Sequence, residues 1–429
     1  MPLEGRYDFR SAEPRLQQRW AELGIYEFDP HTEAPIFTVD TPPPTISGQI
    51  HIGHVYSYTQ ADIVVRFQRM RGHMVFYPFG FDDNGLPTER FTEQVRGITA
   101  RAVGREAFIR ACLELSAEVE TAFERFWKRL GLSVDWRLRY STIDDRSRRI
   151  AQRSFIDLYD CGQVKRREAP TLWCPRCETA VAQADVEDRD DVPTTFVTLA
   201  FPTTDGRQIR IATTRPELLP ACVAVFVHPD DQRYVELIGA TAIVPLFGMR
   251  VPILANPEAQ PDKGTGAVMC CTFGDVSDVR WWYTYQLPLR IAIRPDGMMN
   301  ELAGPYAGLP IARARTQIVE DLEAQGLLLE RQQRTHTIGV HERCGTPIEY
   351  LVSSQWFIGV LALRERLLEA GRRVDWHPAY MHARYESWVA GLSWDWNISR
   401  QRYFGIPFPV WYPIDGSGAL DGDHPIFAS

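Results

Sequence analysis

The stretch from Val39 to His54 constrains the fold most, because it connects a strand to a helix through a turn of small residues. The β-branched and aromatic residues Ile36 to Val39 predict the strand, and the prolines at 42–44 end it because proline cannot continue a hydrogen-bonded ladder. Apolar residues at helical spacing then predict a helix from Ile52 to Met70. Strand, tight loop and helix are the phosphate-binding geometry of a doubly wound α/β sheet, where the helix N-terminus favours negative charge.

Two histidines, His51 and His54, stand three residues apart on the first turn of this helix. They add hydrogen-bond donors at the place where a helix N-terminus attracts an anion. The alternative interpretation is a stiff strand–helix turn with two surface histidines. The full run from Pro42 to His54, Pro-Pro-Pro-Thr-Ile-Ser-Gly-Gln-Ile-His-Ile-Gly-His, is far more specific than a bare His-x-x-His pair.

Composition excludes several classes of protein. With 429 residues, 45% of them hydrophobic, the chain can bury a large core and we expect two or three domains. No run approaches about eighteen apolar residues, so no membrane span is predicted, and residues 1–6 lack the apolar core of a secretion signal. Eight cysteines in so long a chain favour a reducing cytoplasm over a disulfide framework. The net charge of −8 does not by itself indicate a nucleic-acid partner, and we expect no DNA. Net charge is, however, a poor guide to a local basic groove.

The first part of the chain predicts a helical clasp followed by half of a nucleotide-binding sheet. Residues 1–35 carry an amphipathic helix around Glu13 to Leu23. Residues 36–165 hold the first half of the sheet, with a second long helix predicted from Arg105 to Leu130.

An acidic loop punctuated by glycine, Asp82-Asp83-Asn84-Gly85, follows the second strand, which begins at Met74. Such loops lie at the carboxyl ends of parallel strands, where ligands bind. Six arginines cluster further on and either contact RNA or form a solvated face: Arg137, Arg139, Arg146, Arg148, Arg149 and Arg153.

Cys174 and Cys177 form a Cys-x-x-Cys knuckle with an intervening proline, which is typical of a metal site. One knuckle supplies two ligands, whereas tetrahedral zinc needs four, and His341 with Cys344 is the candidate second pair. We therefore expect Zn²⁺ to pin the base of a hairpin that carries the intervening segment. The alternative, a redox pair, lacks a surrounding thioredoxin-like βαβ unit. The other cysteines are predicted core residues: Cys112, Cys161, Cys222, Cys270 and Cys271.

Short β-rich runs with Gly and Pro turns dominate from about residue 190 to 335 and predict a small, mostly β globule with some helices. The runs are Thr194–Phe201, Gln208–Ala212, Cys222–Val227 and Ala242–Pro245. Two stretches stand out, Ile211 to Glu217 with polar Thr and Arg residues, and Lys263 to Asp278 with two Asp residues. They would line a small hydrophilic pocket, or they are satisfied turn residues on the rim of a β domain. The residues alone favour neither interpretation.

In their order along the chain, these motifs resemble those of class I aminoacyl-tRNA synthetases, and in particular the archaeal-like variant of the valyl-tRNA synthetases. The markers are the proline-led histidine box, residues 80–89, both knuckles, Thr-Thr-Arg-Pro-Glu at 213–217, residues 272–279, Gln-Trp-Phe-Ile at 355–358 and Ile-Ser-Arg-Gln-Arg at 398–402. The match spans nearly all of the chain. It implies an α/β, Rossmann-like nucleotide-binding domain that is incomplete, with an inserted, mainly β editing domain and a zinc knuckle.

The resemblance implies ligation of valine to its tRNA, using ATP with Mg²⁺, and it assigns roles residue by residue. The ATP-binding residues would be Thr45, His51, Gly53 and His54, with the two histidines on the phosphates. Asp82 would bind the amino group of valine, while Pro43, Trp356 and Trp396 would shape the side-chain pocket. The reaction is in-line attack of a carboxylate on the α-phosphate, so positioning and charge stabilisation contribute most.

The inserted domain would hydrolyse threonine from mischarged tRNA. An apolar pocket cannot strongly reject an isostere that adds one hydroxyl, so a second pocket must recognise the hydroxyl. The editing residues implied are Thr213, Thr214, Arg215, Asp275 and Asp278. Among them, Asp278 would hold the amino group of the misattached residue.

The chain departs from the family in ways that put aminoacylation in doubt. The Lys-Met-Ser-Lys-Ser signature is missing, since no lysine follows Lys263. The closing strands of the nucleotide fold and the helical anticodon-binding domain are missing as well. Asn397 stands where the family usually has cysteine, and no Cys-x-x-Cys follows Trp411. The chain therefore resembles the N-terminal half of such an enzyme.

The resemblance divides the chain into six segments: a clasp at 1–35, half of the catalytic domain at 36–165, knuckle halves at 166–190 and 336–352, the editing domain at 191–335, and a truncated return to the catalytic domain at 353–429. Three functions fit this organisation. The chain would aminoacylate together with a C-terminal complementing half, edit in trans as a stand-alone deacylase, or bind ATP or tRNA as a catalytically silent paralogue. Valine and the tRNA for valine are the expected partners, in the cytoplasm.

Overall fold

The computed structural model describes residues 7–428. Its helices are α1 Phe9–Glu22, α2 Ile52–Met70, α3 Leu86–Arg96, α4 Ala100–Val103, α5 Arg105–Leu130, α6 Asp145–Asp160, α7 Val276–Tyr285, α8 Ile311–Ala324, α9 Arg364–Arg372 and α10 Met381–Ala390. Its strands are β1 Ile36–Thr38, β2 Met74–Phe76, β3 Gly80–Phe81, β4 Tyr140–Ser141, β5 Val164–Cys174, β6 Thr179–Ala180, β7 Val186–Pro202, β8 Gln208–Thr213, β9 Cys222–Val227, β10 Thr241–Ile243, β11 Arg250–Ala255, β12 Ala267–Cys271, β13 Leu328–His341, β14 Glu349–Ile358, β15 Trp396–Asn397, β16 Val410–Trp411 and β17 Ile426–Phe427. Residues 1–6, where no signal core is predicted, lie outside the described residues. None of the helices between residues 7 and 428 combines the length and the apolar character that a bilayer span requires.

The described chain divides into two compact units. The first comprises residues 7–161 and 402–428, and the second comprises residues 162–401. Residues 353–401, which the sequence prediction places in the returning catalytic domain, fall in the second unit. The reason is that β14 pairs antiparallel with β5 along its whole length.

The first unit contains a parallel layer in which β1 pairs with β2 and β3 pairs with β4. Residues 74–82 form its middle, because the Asp82 amide donates to the Pro44 carbonyl (2.9 Å) on one side. On the other side the Asp135 amide donates to the Tyr77 carbonyl (3.3 Å). The layer order is therefore β1, then β2 with β3, then β4. This is the order of the first three strands in a doubly wound sheet, with strand 1 at one edge.

Helices α2 and α5 have the bounds that the sequence predicts. Helix α5 ends at Gly131, which has a left-handed conformation (φ 82°) and donates its amide to the carbonyls of Lys128 and Trp127. The buried residues of α2 are Tyr58, Asp62 and Val65. The apolar residues whose spacing helps to predict α2 are instead exposed: Ile63, Val64, Phe67 and Met70.

The N-terminal helix α1 begins at Phe9 because Asp8 caps it by accepting from the Arg10 amide. It contacts α5 through Arg129, which pairs with Glu13 (2.7 Å) and accepts a hydrogen bond at its carbonyl from Gln17 (2.9 Å). The contacts are those of a helix clasped onto the long helix of its own unit.

The second unit holds three sheets, with strand orders β15-β14-β5-β6, β13-β7-β8 and β10-β11-β9-β12. Residues 191–335 are mainly β, with α7 and α8 as their α-helices. One continuous core lies between the latter two sheets and α8; it includes Val197, Leu199, Phe201, Ile209, Ile211, Val225, Val227, Ile253, Ile318 and Leu322. The strand residues of this set alternate along β7, β8 and β9, so each sheet presents an apolar face inward, and Ile318 and Leu322 lie one turn apart on α8.

Two sequence predictions need correction. Cys161 is exposed rather than part of the core, because it lies at the C-cap of α6, whereas Cys112, Cys222, Cys270 and Cys271 are buried. The sequence also predicts a helix at about 359–371, and in the structure this helix is α9, Arg364–Arg372. It begins later because the Gly359 amide still donates to the Gln163 carbonyl (2.9 Å), which continues the strand pairing.

Candidate functional sites

The histidine turn, residues 51–54, has a fixed geometry at the start of α2. Nδ1 of His51 accepts from the Gly53 amide (3.2 Å), and Nδ1 of His54 accepts from the His51 amide (3.3 Å). The two ring centroids lie 4.1 Å apart. Because both Nδ1 lone pairs are occupied, each neutral ring carries its proton on Nε2. The turn therefore presents two Nε2–H donors at a helix N-terminus.

Burial, and then the neighbouring His51, lower the pKa of His54, so the neutral ring is its main form at pH 7. Gly53 is required sterically, because a Cβ atom there would lie 3.0 Å from Cε1 and Nδ1 of His51. A side chain at position 53 would thus displace the ring of His51.

Asp82 lies beside the proline-led loop, as its predicted role needs. Its backbone bridges Thr45, and its carbonyl accepts from the Ile46 amide (3.1 Å). The Thr142 hydroxyl donates to Oδ1 of Asp82 (3.0 Å). The structure therefore brings the segment of Pro43 and Thr45 together with Asp82 at the carboxyl end of the parallel layer.

A buried carboxyl pair next to Asp82 was missed by the sequence reasoning. Asp83 is 2% exposed and accepts from the Ser141 hydroxyl (2.7 Å). Burial, and then a hydrogen bond with Asp83, raise the pKa of Glu120 to about 7. Adjacent aspartates in the sequence do not reveal which one turns inward, so no sequence signal identifies this pair.

Glu89 is a second missed residue, and it holds the segment that returns to the first unit. Its side chain is fully buried. One oxygen accepts from the amides of Tyr403 (2.7 Å) and Phe404, and the other accepts from the Arg402 guanidinium. Its position in the motif at 80–89 is the signal that was available.

The two predicted pocket tryptophans lie in the second unit, on neighbouring strands. Trp356 in β14 is buried, and its amide donates to the Ser399 hydroxyl (2.9 Å). Trp396 in β15 pairs with Ile358 and is 52% exposed. Pro43 and Asp82 belong to the first unit.

The four predicted zinc ligands form the Cys/His cluster: Cys174, Cys177, His341 and Cys344, with ligand atoms all within 4.8 Å of one another. Sγ of Cys344 lies 3.5 Å from that of Cys174 and 3.8 Å from that of Cys177. Nδ1 of His341 lies 3.5 Å from Cys177 Sγ and 3.4 Å from Cys344 Sγ. Zinc–sulfur bonds of about 2.3 Å in a tetrahedron place the ligand atoms roughly 3.8 Å apart. Three thiols and one imidazole at this spacing therefore fit a zinc ion.

Asp275 and Asp278 lie at the start of α7. Asp275 caps the helix by accepting from the amides of Ser277 (2.7 Å) and Asp278 (3.1 Å). Oδ2 of Asp278 accepts from the Gly274 amide (2.7 Å). Asp278 is 6% exposed, and no arginine or lysine pairs with it among residues 7–428. Burial, and then the charge of Asp275, raise its pKa to about 8.

The second polar stretch contacts the turn that continues from the first. Gly274 packs between Asp278 and Leu218, since a Cβ there would lie 2.9 Å from the former and 3.2 Å from the latter. Leu218 belongs to the 3₁₀ turn Pro216–Ala221, which Arg215 connects to the threonine pair Thr213 and Thr214. Thr213 ends β8 and its hydroxyl accepts from the Arg215 amide (2.9 Å), while Thr214 is half-buried beside it.

Arg215 belongs to a charge quartet with Glu217, Arg315 and Glu349, in which both carboxylates are buried and Arg315 is 41% exposed. Its guanidinium donates to Glu217 (3.0 Å) and Glu349 (2.6 Å), and Arg315 donates to both oxygens of Glu217 (2.8 Å each). Burial alone would raise the pKa of Glu217, but the two arginines hold it below its usual value. The pKa of Glu349, buried with one arginine, is raised. The charge of Arg215 is thus matched by carboxylates in the fold itself.

The chain is similar in sequence to proteins of a known family. The sequence model of the tRNA synthetases class I (I, L, M and V) matches residues 15–421. The chain therefore belongs to the class I tRNA synthetases, and it has their fold with mixed α/β content.

Among its curated relatives are two named valine–tRNA ligase. That of Rickettsia prowazekii (strain Madrid E) is 51% identical over 411 residues, and that of Rickettsia conorii (strain ATCC VR-613 / Malish 7) is 49% identical over 409 residues. Each match covers 95% of this chain and 50% of the relative, so the chain spans about half the length of these proteins. A solved ternary complex of Agrobacterium radiobacter K84 LeuRS, tRNA and LeuAMS matches 99% of this chain and 52% of its own, with 21% identity and a TM-score of 0.44.

Proposed function

We propose that this chain is the N-terminal half of a valine–tRNA ligase, with one site for activating valine and another for removing threonine. The observation that carries the proposal is the proline-led loop, which pairs with Asp82 at Thr45 at the carboxyl end of a parallel layer and continues into the histidine turn, in a chain about 50% identical to valine–tRNA ligases.

For activation, the Nε2–H donors of His51 and His54 bind the phosphates of ATP, and the helix N-terminus adds to the favourable potential. Thr45 and Gly53 complete the nucleotide side of the site. Mg²⁺ accompanies ATP and supplies charge neutralisation when bound. These residues act by positioning, because in-line attack on the α-phosphate needs alignment more than covalent help from the protein.

The amino group of valine binds the carboxylate of Asp82, which the Thr142 hydroxyl orients. Pro43 contacts the side chain of valine, and the resemblance assigns further contacts to Trp356 and Trp396. An apolar wall favours valine over polar amino acids but rejects threonine only weakly.

The turn regions around Thr213–Arg215 and Asp275–Asp278 form the editing pocket for threonine esterified to tRNA. Asp278, a buried carboxyl without a cationic partner among residues 7–428, binds the amino group of the misattached residue. An ammonium ion beside it would return its raised pKa toward the usual value. Thr213 and Thr214 supply hydroxyls for the polar contacts, and Arg215 holds the turn through its carboxylate partners.

The Cys/His cluster binds structural zinc and joins the two ends of residues 178–340. The fit of its spacing to a tetrahedron supports this assignment. The partners are valine, the tRNA for valine and a C-terminal half that completes the enzyme in the cytoplasm; no DNA is involved. The second candidate, a stand-alone deacylase that edits in trans, is favoured by the complete core of the mainly β globule.

Valine-dependent exchange of pyrophosphate into ATP tests the main proposal. The chain is mixed with a polypeptide comprising the half of the Rickettsia prowazekii valine–tRNA ligase that this chain does not match. We expect exchange with valine that falls at least about 10²-fold in a His51→Ala variant, the scale of one lost preorganised donor. Equal exchange with leucine and valine, or a fully active His51→Ala variant, would contradict it.

A further inference from the structure

Two buried carboxyl groups, those of Asp83 and Glu120, lie next to the residue proposed to bind the amino group of valine. Asp83 is 2% exposed and Glu120 is 7% exposed, and the two are hydrogen-bonded to each other. Asp83 follows Asp82 directly after β3, whereas Glu120 belongs to the long helix α5. The proposed reaction uses neither of them. A hydrogen bond between two carboxyl groups requires that one of them carry a proton.

Two hydroxyl groups, with one proton each, connect this pair to Asp82. The Ser141 hydroxyl donates to Asp83 (2.7 Å) and accepts from the Ile143 amide (3.2 Å). The Thr142 oxygen accepts from the Asp83 amide (3.2 Å). The same oxygen lies 3.0 Å from Oδ1 of Asp82 and 3.2 Å from Oδ1 of Asp83. Because a hydroxyl donates one proton, Asp82 and Asp83 compete for the proton of Thr142.

The proton of the carboxyl pair decides this competition. When it is present, Asp83 has donors in the Glu120 carboxyl and the Ser141 hydroxyl, so Thr142 is free to donate to Asp82. When it is absent, Asp83 is a charged group beside a second carboxylate, and it attracts the Thr142 hydroxyl to itself. Asp82 then loses the donor that orients its carboxylate toward an incoming ammonium group.

The charged groups that face Glu120 come from three parts of the first unit. Asp83 follows β3, Arg139 precedes β4 and donates to Glu120 (2.9 Å), and Glu124 on α5 shares that arginine. Burial, and then the hydrogen bond and charge of Asp83, raise the pKa of Glu120 to about 7, while Arg139 opposes the rise. The pair therefore holds its proton below about pH 7 and loses it above.

We propose that Asp83 and Glu120 form a positioning pair, which holds one proton so that the Thr142 hydroxyl donates to Asp82 and fixes the carboxylate that receives the amino group of valine. The pair acts through Thr142 rather than by contact with valine. This inference rests on the proposed function, because that function gives Asp82 its ligand.

Pyrophosphate exchange by the chain mixed with its complementary half, measured against valine concentration between pH 6 and pH 8.5, provides the kinetic test. We expect the KM of the parent for valine to rise with pH. Glu120→Gln, whose amide donates to Asp83 at every pH, should keep a constant KM. Glu120→Ala should raise the KM at pH 6 about tenfold, the scale of one hydrogen bond to a charged group, with kcat nearly unchanged.

Two further variants separate positioning from a merely structural effect. In a Thr142→Val background, Glu120→Ala should have no additional effect on the KM, because the pair acts through the missing hydroxyl. Glu124→Gln changes another carboxylate that pairs with Arg139, and this matched control should keep the pH profile of the parent.

Crystal structures of the isolated chain test the inference without activity. At pH 6 the Thr142 oxygen should stay hydrogen-bonded to Asp82 in the parent and in Glu120→Gln. In Glu120→Ala it should bond Asp83 and lie more than about 3.5 Å from Oδ1 of Asp82. Circular dichroism establishes which variants fold, and the parent crystallised at pH 8.5 replaces Glu120→Ala if that variant does not.

An unchanged bond between Thr142 and Asp82 in all of these structures, or a KM for valine that does not rise with pH, would overturn the proposal. The expected displacement of Asp82, found in a chain whose mixture shows no valine-dependent exchange, would support the positioning pair and contradict the proposed function alone.

Discussion

At the scale of single residues, Asp278 combines two properties that rarely occur together. It accepts backbone hydrogen bonds at the start of α7, as a capping residue does, and it is buried without a cation among the described residues. A structural cap needs only the first property. The second leaves a carboxyl group that an incoming ammonium group stabilises.

Substitution of Asp278 tests its editing role. The chain should deacylate threonyl-tRNA carrying the valine anticodon slowly, at high protein concentration, and leave valyl-tRNA largely intact. Asp278→Ala should reduce this rate by about 10² or more, whereas exposed Asp157→Ala should not change it. Release of labelled threonine measures both rates. Equal hydrolysis of the two tRNAs, or an Asp278→Ala variant as active as the parent, would exclude the editing interpretation.

The same residue predicts a pH dependence of stability. Burial, and then Asp275, raise the pKa of Asp278 from 3.8 to about 8 in the folded chain. The folded state therefore binds this proton more tightly, and its contribution to stability is lost as the pH rises from about 4 through 8. Asp278→Asn mimics the protonated form, so its thermal unfolding temperature should match that of the parent near pH 4 and exceed it above pH 8. A parent chain that stays the more stable protein above pH 8 would contradict the prediction.

At the scale of elements, the charge quartet links three parts of the second unit: the 3₁₀ turn Pro216–Ala221, helix α8 and strand β14. Glu217 is fully buried and receives both arginines, whereas Glu349 receives one. Two positive and two negative charges balance in this quartet, and both carboxylates are buried. Removing Glu217 leaves two arginines beside a single buried carboxylate, and Arg215 is itself only 20% exposed.

Glu217→Ala should therefore lower the free energy of unfolding by about 3–5 kcal/mol, the usual cost of stranding a buried charge. Asp157→Ala removes an exposed ion pair with Arg153 and should cost less than about 1 kcal/mol. Urea unfolding of both variants gives the comparison. Equal losses would show that the quartet does not carry the stability that its burial implies.

The Cys/His cluster acts between elements as well, since it joins Cys174 and Cys177, at and after the end of β5, to His341 and Cys344, at and after the end of β13. We expect one zinc per chain by elemental analysis. A Cys174→Ser and Cys344→Ser double variant should lose the metal and unfold at lower temperature, because metal binding is coupled to folding. Cys161→Ser, at an exposed cysteine, is the matched control. A stoichiometry near zero in the parent would contradict the assignment.

At the scale of the whole molecule, the sequence predicts the bounds of helices better than it predicts which of their side chains are buried. The bounds of α2 and α5 follow from local signals, a turn before Ile52 and a left-handed glycine at 131, and both are correct. The Cys/His cluster was predicted because metal chemistry fixes the ligand number. The exposure of Phe67 and the inward turn of Asp83 depend on distant neighbours, and local pattern holds no information about them. The role of Glu89 could not be predicted locally, because its partner Arg402 lies more than three hundred residues later in the sequence.

The isolated chain should bind ATP weakly and fail at valine-dependent pyrophosphate exchange. In the matched relatives about half of the protein lies outside the part that this chain spans, and each lost preorganised contact typically costs about 10² to 10³ in rate. Exchange assays with and without the complementary half measure the difference. Robust exchange by the chain alone would mean that the other half does not contribute to activation.

The hydrogen bonds of Glu89 to residues 402–404 also affect when the first unit can complete its folding during synthesis on the ribosome. The carboxylate of Glu89 emerges early, but its partners follow only after the entire second unit, residues 162–401, has been translated. At about 5–20 residues per second that interval lasts on the order of tens of seconds. During this interval the carboxylate of Glu89 lacks the partners beside which it is buried in the complete fold. The apolar surface of Phe108 and Cys112, against which Phe404 packs, is also uncovered. We therefore expect chaperones to bind the N-terminal segment of this chain during its translation.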